Sequence, residues 1–159
     1  MFAMLALAPG CAREVDDSKV QLIRIAELRA MTDRQARLPD SDQVIVIDAR
    51  PSKYYDEAHI PGARNILLSK FDPKGKVDPT IGRFATIVVY GDDPASPEAR
   101  ALTKRLMVIG YSRVRLFAGG LKGDKVGWIA YGYPVEGKGR ETPPTPEAAP
   151  TASDRTGAR

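Results

Sequence analysis

Few side chains in this 159-residue chain could do covalent chemistry: it has one cysteine, Cys11, and one histidine, His59. A lone cysteine excludes an intrachain disulfide. With a single histidine beside it, an N/S-rich zinc site is excluded as well. The remaining candidates are acids gathered in one stretch, Gly91-Asp92-Asp93-Pro94-Ala95-Ser96. Asp92 and Asp93 could act as general acid and base, or could hold a divalent cation with Asp48. Adjacent side chains seldom converge on one atom, and two acids just ahead of a helix are ordinarily solvated or favour its dipole. The expectation is therefore solvated acids, with no catalytic residue, no metal and no cofactor.

The elements around these acids place them where a ligand would sit. Thr86-Ile87-Val88-Val89-Tyr90 is a β-branched and aromatic run, read as a buried strand. Gly91 ends it, and Pro94 and Pro97 forbid further pairing. Ser96 is the expected N-cap of a helix with Pro97 at its first position. Ala99, Leu102, Leu106 and Ile109 then share one helical face, and Gly110 stands where a left-handed cap is wanted. In open α/β sheets the ligand site lies at the carboxyl end of a strand. Gly91 to Ser96 is thus the candidate ligand loop.

Upstream, Val20–Ile25 reads as a short strand and Ile25–Met31 as a helix. Thr32–Gln43, polar and holding Pro39, reads as a loop. Val44-Ile45-Val46-Ile47 is a continuous apolar run of the kind buried on both faces of a parallel sheet. A short helix is expected over Lys53–Ala58, and Ile60-Pro61-Gly62-Ala63 is a turn in which Gly62 is free to take positive φ. Asn65–Leu68 is another apolar run, and Ser69–Phe84 reads as loop. Val114–Phe117 is the last strand, followed by Gly119-Gly120 and a helical segment containing Trp128. From Gly137 to Arg159 proline is dense and bulky apolar residues are absent, so this tail is expected to be disordered. Alternating strands and helices argue an α/β domain with a parallel sheet covered on both faces.

Composition narrows the function. Apolar residues at 43% and charged residues at 28% are ordinary for a soluble globular domain, and the length suits one domain. A net charge of +4 without a Lys/Arg cluster interleaved with aromatics argues against nucleic acid as a partner. No stretch is long and apolar enough to span a membrane as a helix. Met1–Gly10 is apolar and uncharged and is followed by Cys11, which resembles the tail of a bacterial lipoprotein signal peptide. That resemblance implies lipidation of Cys11. Residues 1–19 then form a signal-like terminus and polar linker, and the chain faces the periplasm from a bacterial envelope membrane. The alternative is a soluble cytoplasmic protein.

Several motifs together resemble the rhodanese-like domain. Val46-Ile47-Asp48-Ala49-Arg50 is similar to that family's strand ending in Asp-x-Arg. Ala58-His59-Ile60-Pro61-Gly62-Ala63-Arg64-Asn65-Ile66 is similar to its Gly-His-Ile-Pro-Gly-Ala-x-Asn-Ile motif, with alanine for the first glycine. Ala118-Gly119-Gly120, Trp128 and Gly132-Tyr133-Pro134-Val135 match its closing segments. The resemblance implies one domain over residues 20–136, with a central parallel five-stranded sheet and helices on both faces. It also implies structural roles for Asp48 and Arg50 as an ion pair, for His59 and Gly62 in a turn, and for Trp128 in or beside the core.

In active members of that family the strand matching Ile87–Tyr90 ends in a cysteine that carries sulfur as a persulfide, and the following loop is a ring of backbone N–H groups. Here that position is Gly91. Pro94 and Pro97 have no N–H to offer, and Asp92 and Asp93 place negative charge where an anion would sit. Dual-specificity phosphatases of the same topology need the same cysteine. The expectation is a monomeric, catalytically inactive binding or scaffold module, whose partner is an unknown protein or a small cationic ligand. The alternatives are a hydrolase or transferase using Asp92 or Asp93, and a sulfur-transfer accessory protein whose partner supplies the cysteine.

Overall fold

The structure is a computed structural model and describes residues 15–138. Its centre is a five-stranded sheet in which every pairing is parallel, in the order β1-β5-β4-β2-β3. The strands are β1 (Gln21–Leu22), β2 (Val44–Asp48), β3 (Arg64–Asn65), β4 (Thr86–Tyr90) and β5 (Val114–Phe117). The α-helices are α1 (Ile25–Arg37), α2 (Ser52–Glu57), α3 (Pro79–Gly82) and α4 (Pro97–Ile109). Strands β2 and β4 are buried at all five positions each, as the unbroken apolar runs required of the middle of a parallel sheet.

Alternation along the strands divides the core between two faces. Ile45, Ile47, Ile87, Val89 and Leu116 pack with Ala99, Leu102 and Leu106 of α4. Val44, Val46, Val88, Tyr90 and Phe117 pack with Leu28 of α1, Ile60, Leu121 and Trp128. Gly110 closes α4 at φ 106°, a conformation that costs glycine least.

Four local expectations are corrected. The loop expected over Thr32–Gln43 is helical as far as Arg37. Its polar residues are adequate helix formers, Arg29 and Asp33 pair across one turn at 3.0 Å, and the helix stops only ahead of Pro39. Of the run Asn65–Leu68 only Asn65 joins the sheet, in β3 with Arg64, while Ile66 and Leu68 pack partly buried against the α4-side core. The loop expected over Ser69–Phe84 contains α3, capped by Asp78, whose Oδ1 accepts from the Thr80 N–H at 2.8 Å. The helix expected around Trp128 is one 3-10 turn at Ile129–Tyr131, preceded by turns. Glycines at 119, 123 and 127 let that segment fold on itself so closely that side chains at these positions would collide with its backbone.

At the ends of the described region, Val15 is buried and Asp17 pairs with Lys104 of α4. Glu136 bridges to His59, and the Lys138 N–H donates to the Asp56 carbonyl. Cys11 and the tail from residue 139 lie outside the described residues.

Candidate functional site

The carboxyl ends of β2 and β4 deliver a buried polar network. Asp48 is wholly buried at the end of β2, and two residues later Arg50 turns back onto it. Arg50 Nε donates to Asp48 Oδ1 at 3.0 Å and Nη2 to Oδ2 at 2.7 Å. Nη2 also reaches the Ala58 carbonyl at 2.6 Å. The Tyr90 hydroxyl donates to Asp48 Oδ2 at 2.6 Å and accepts from the Ile60 N–H at 3.1 Å. Buried charges are tolerated only when paired and hydrogen-bonded, and here each is. Burial works against the Arg50 charge, but the hydrogen bonds and charge of Asp48 outweigh it and lift its pKa above the ordinary arginine value. Burial also pushes the Tyr90 phenol well above its usual range, reinforced by Asp48.

The remaining guanidinium nitrogen of Arg50 points into the loop. Nη1 donates to Asp92 Oδ1 at 3.0 Å, and Lys122 Nζ lies 3.7 Å from the same oxygen. The expectation that both loop acids are merely solvated is therefore corrected for Asp92, whose charge is matched by Arg50 and Lys122. Asp93 is exposed and turns the other way, its Oδ1 accepting from the Ala95 N–H at 2.7 Å. The two carboxylates do not converge. No group of three or more acids, histidines or cysteines with metal-site spacing occurs among the described residues.

Gly91 is closed off by its own loop. Its φ is not in the left-handed region, so backbone conformation alone does not demand glycine. Space does: a Cβ at Gly91 would overlap the Oγ and Cβ of Ser96 and would lie 3.3 Å from the Ala99 Cβ. Ser96 occupies the N-cap position of α4 but makes no side-chain cap bond, which corrects the capping expectation. Its buried hydroxyl instead donates to Glu98 Oε2 at 3.1 Å. Pro94 and Pro97 offer no N–H, and the Ala95 and Ser96 N–H groups are spent on Asp93, the latter on its carbonyl at 3.2 Å. The glycine pair after β5 holds the loop from the side. Leu121 and Lys122 N–H groups donate to the Gly91 and Asp92 carbonyls at 2.9 and 2.7 Å. Gly120, at φ 65°, approaches Asp93 so closely that a Cβ would lie 2.6 Å from its nitrogen.

The other singled-out residues lie behind this loop. His59 stacks on Tyr55 at 3.8 Å between centroids, and its Nδ1 lies 2.8 Å from the Tyr55 carbonyl. Gly62 takes φ 72° and donates its N–H to Glu136 Oε2. Trp128 is fully buried, and its Nε1 donates to the Pro134 carbonyl at 2.7 Å. Tyr90 and Lys122 were not marked by sequence. Tyr90 reads there as an ordinary strand residue, and nothing in its spacing ties Lys122 to Asp92. A cavity of about 510 Å³ is lined by Ala49, Pro51, Leu67, Leu68, Ser69, Glu98 and Arg105, with no residue of Gly91 to Ser96 among them. A groove of about 460 Å³ runs along Val44–Val46, the part of β2 that the short β3 leaves unpaired, between α1 and Phe84, and none of the loop residues lines it.

Comparison with known proteins places this architecture. The family model for the rhodanese-like domain matches residues 30–125. A solved protein of Bacillus halodurans is 22% identical, with a TM-score of 0.56 over 79% of this chain and 85% of its own. A Rhodopseudomonas palustris protein of unknown function, described as a possible tyrosine phosphatase, is 21% identical, with a TM-score of 0.58 over 76% of this chain and 87% of its own. An uncharacterized protein of Saccharomyces cerevisiae is 18% identical, with a TM-score of 0.52 over 72% of this chain and 94% of its own. At these identities the likeness is one of fold. No curated protein matches the sequence.

Proposed function

Because the chain belongs to the rhodanese-like domain family and holds Gly91 where that family's sulfur-carrying cysteine stands, we propose that it is a non-catalytic member acting as a binding module. The observation that carries this is the Gly91–Ser96 contact: the loop lacks the thiol and has also filled the space a side chain would need. The only cysteine in the chain is Cys11, far outside the matched region. Phosphatase chemistry of the cysteine-dependent kind needs the same thiol and has no candidate either. An enzyme built on the loop acids is disfavoured by their geometry, since Asp92 and Asp93 turn to different partners.

The surface offered to a partner is the rim of the loop. Asp93, Pro94, Ala95 and Glu98 are exposed there, and the two acids favour a protein carrying basic groups or a small cation. The apolar segment ahead of Cys11 supports lipidation at that residue, which would hold the module at a membrane on the periplasmic side.

Two measurements test this. The purified protein should show thiosulfate:cyanide sulfur transfer no faster than buffer, and Cys11→Ser should behave identically. In its native cells, a photocrosslinking residue at Asp93 should give a discrete adduct, and one at the exposed Leu38, beyond the far end of α1, should not. Sulfur transfer above background, or equal labelling at both positions, overturns the proposal.

A further inference from the structure

Arg50 has five N–H donors in a rigid fork. The Nε and Nη2 sides are taken by Asp48 and the Ala58 carbonyl, and Nη1 is met by Asp92 alone. The Arg50 side chain is 4% exposed, so an Nη1 deprived of Asp92 would be a nearly buried guanidinium donor without an acceptor. The charges pair off in the same way. Asp48 balances Arg50, and Lys122, half exposed over the Tyr54 ring at 5.8 Å, adds a second cation beside the Asp92 oxygen. One guanidinium nitrogen and an ammonium converging on a single oxygen is an arrangement that can hold an oxyanion.

We propose that Arg50 Nη1 and Lys122 Nζ form an oxyanion site and that Asp92 is its tethered occupant. The site takes a free oxyanion, such as sulfate or a carboxylate, only when Asp92 is displaced. It is built from side chains of two segments, the β2 end and the turn after β5, and the β4 loop supplies the occupant. It does not depend on whether the loop rim has a protein partner. The tether keeps the local concentration of carboxylate high, so a free anion competes poorly with it.

The test is titration of sodium sulfate by calorimetry, at constant ionic strength adjusted with chloride. Asp92→Ala should bind sulfate at least about tenfold more tightly than the unaltered protein. Asp93→Ala makes the same change in net charge and should bind no better than the unaltered protein. Adding Lys122→Ala to Asp92→Ala should remove most of the gain. Should Asp92→Ala melt early, its melting midpoint should rise with sulfate at constant ionic strength while those of the unaltered protein and Asp93→Ala do not. Equal gains from Asp92→Ala and Asp93→Ala would reduce the effect to net charge and overturn the proposal. A folded Asp92 variant that binds no better than the unaltered protein would overturn it too.

Discussion

Restoring the family cysteine by Gly91→Cys should damage the fold before it helps the chemistry. The new Cβ must enter space held by the Oγ and Cβ of Ser96, and on its far side the Ala99 Cβ stands 3.3 Å away. Ser96 is buried in the loop that starts α4, and Ala99 belongs to the α4-side core, so neither moves without shifting the helix start. Forcing extra atoms into packed space typically costs about 1–3 kcal/mol. For a domain of this size that is a fall in the melting midpoint of roughly 3–5 °C per kcal/mol. Gly91→Ala should show most of the loss, because the Cβ is the atom that collides. Ser96→Gly in the same chain should recover it, giving a coupling of about 0.5–3 kcal/mol in a double-mutant cycle. Sulfur transfer should still stay near background when Gly91→Cys is combined with Ser96→Gly. Asp93 pushes a neighbouring thiol upward in pKa, and the two cations that could lower it, Arg50 and Lys122, are already paired with Asp92. Pro94 and Pro97 supply no donors, and each missing preorganised donor commonly costs about two to three orders of magnitude in rate. The assays are thermal melting of each variant and of Ser96→Gly alone, and thiosulfate:cyanide turnover of those that carry Gly91→Cys. If Gly91→Cys alone melts with the unaltered protein and turns over like an active family member, both the steric and the electrostatic reasoning are refuted.

Other outcomes follow from the same structure. Tyr90→Phe strips the buried Asp48 carboxylate and the Ile60 N–H of a partner, which should cost about 2–3 kcal/mol at neutral pH by chemical denaturation. The Tyr90 pKa is raised in the fold, so its contribution is complete below the unfolded tyrosine value near about 10 and is lost as pH climbs from there towards the folded value. The unaltered protein should weaken along that alkaline limb and Tyr90→Phe less steeply; parallel limbs would show that Tyr90 is not the group responsible. Expressed from its full reading frame, the native protein should enter the detergent phase on extraction, and Cys11→Ser should move it to the aqueous phase without changing its melting midpoint. Retention of Cys11→Ser in detergent would refute anchoring at that residue. Deleting residues 139–159 should leave the midpoint within about 1 °C, and a fall of several degrees would mean that the tail packs on the domain.

The sequence by itself determined the two central strands and the parallel character of their sheet. Val44–Ile47 and Thr86–Tyr90 are continuous apolar runs, and burial on both faces leaves such a run few places other than the middle of a parallel sheet. Spacing alone likewise placed α4, from Pro97 through the buried Ala99, Leu102 and Leu106 to Gly110, because helix periodicity and caps are local properties. The loss of the thiol was legible too, since it is a matter of residue identity at one position. Tertiary structure decided what the loop became in its absence. That Asp92 answers Arg50 from 42 residues away and that Lys122 closes the other side are contacts between segments distant in the chain, and that Ser96 fills the space beside Gly91 follows from the way the loop between them folds back. No local period or propensity encodes them. The charge of Asp92 reads as exposed in sequence because its partners are delivered by two other strand ends. Only the folded sheet brings those ends within 4 Å of one carboxylate oxygen.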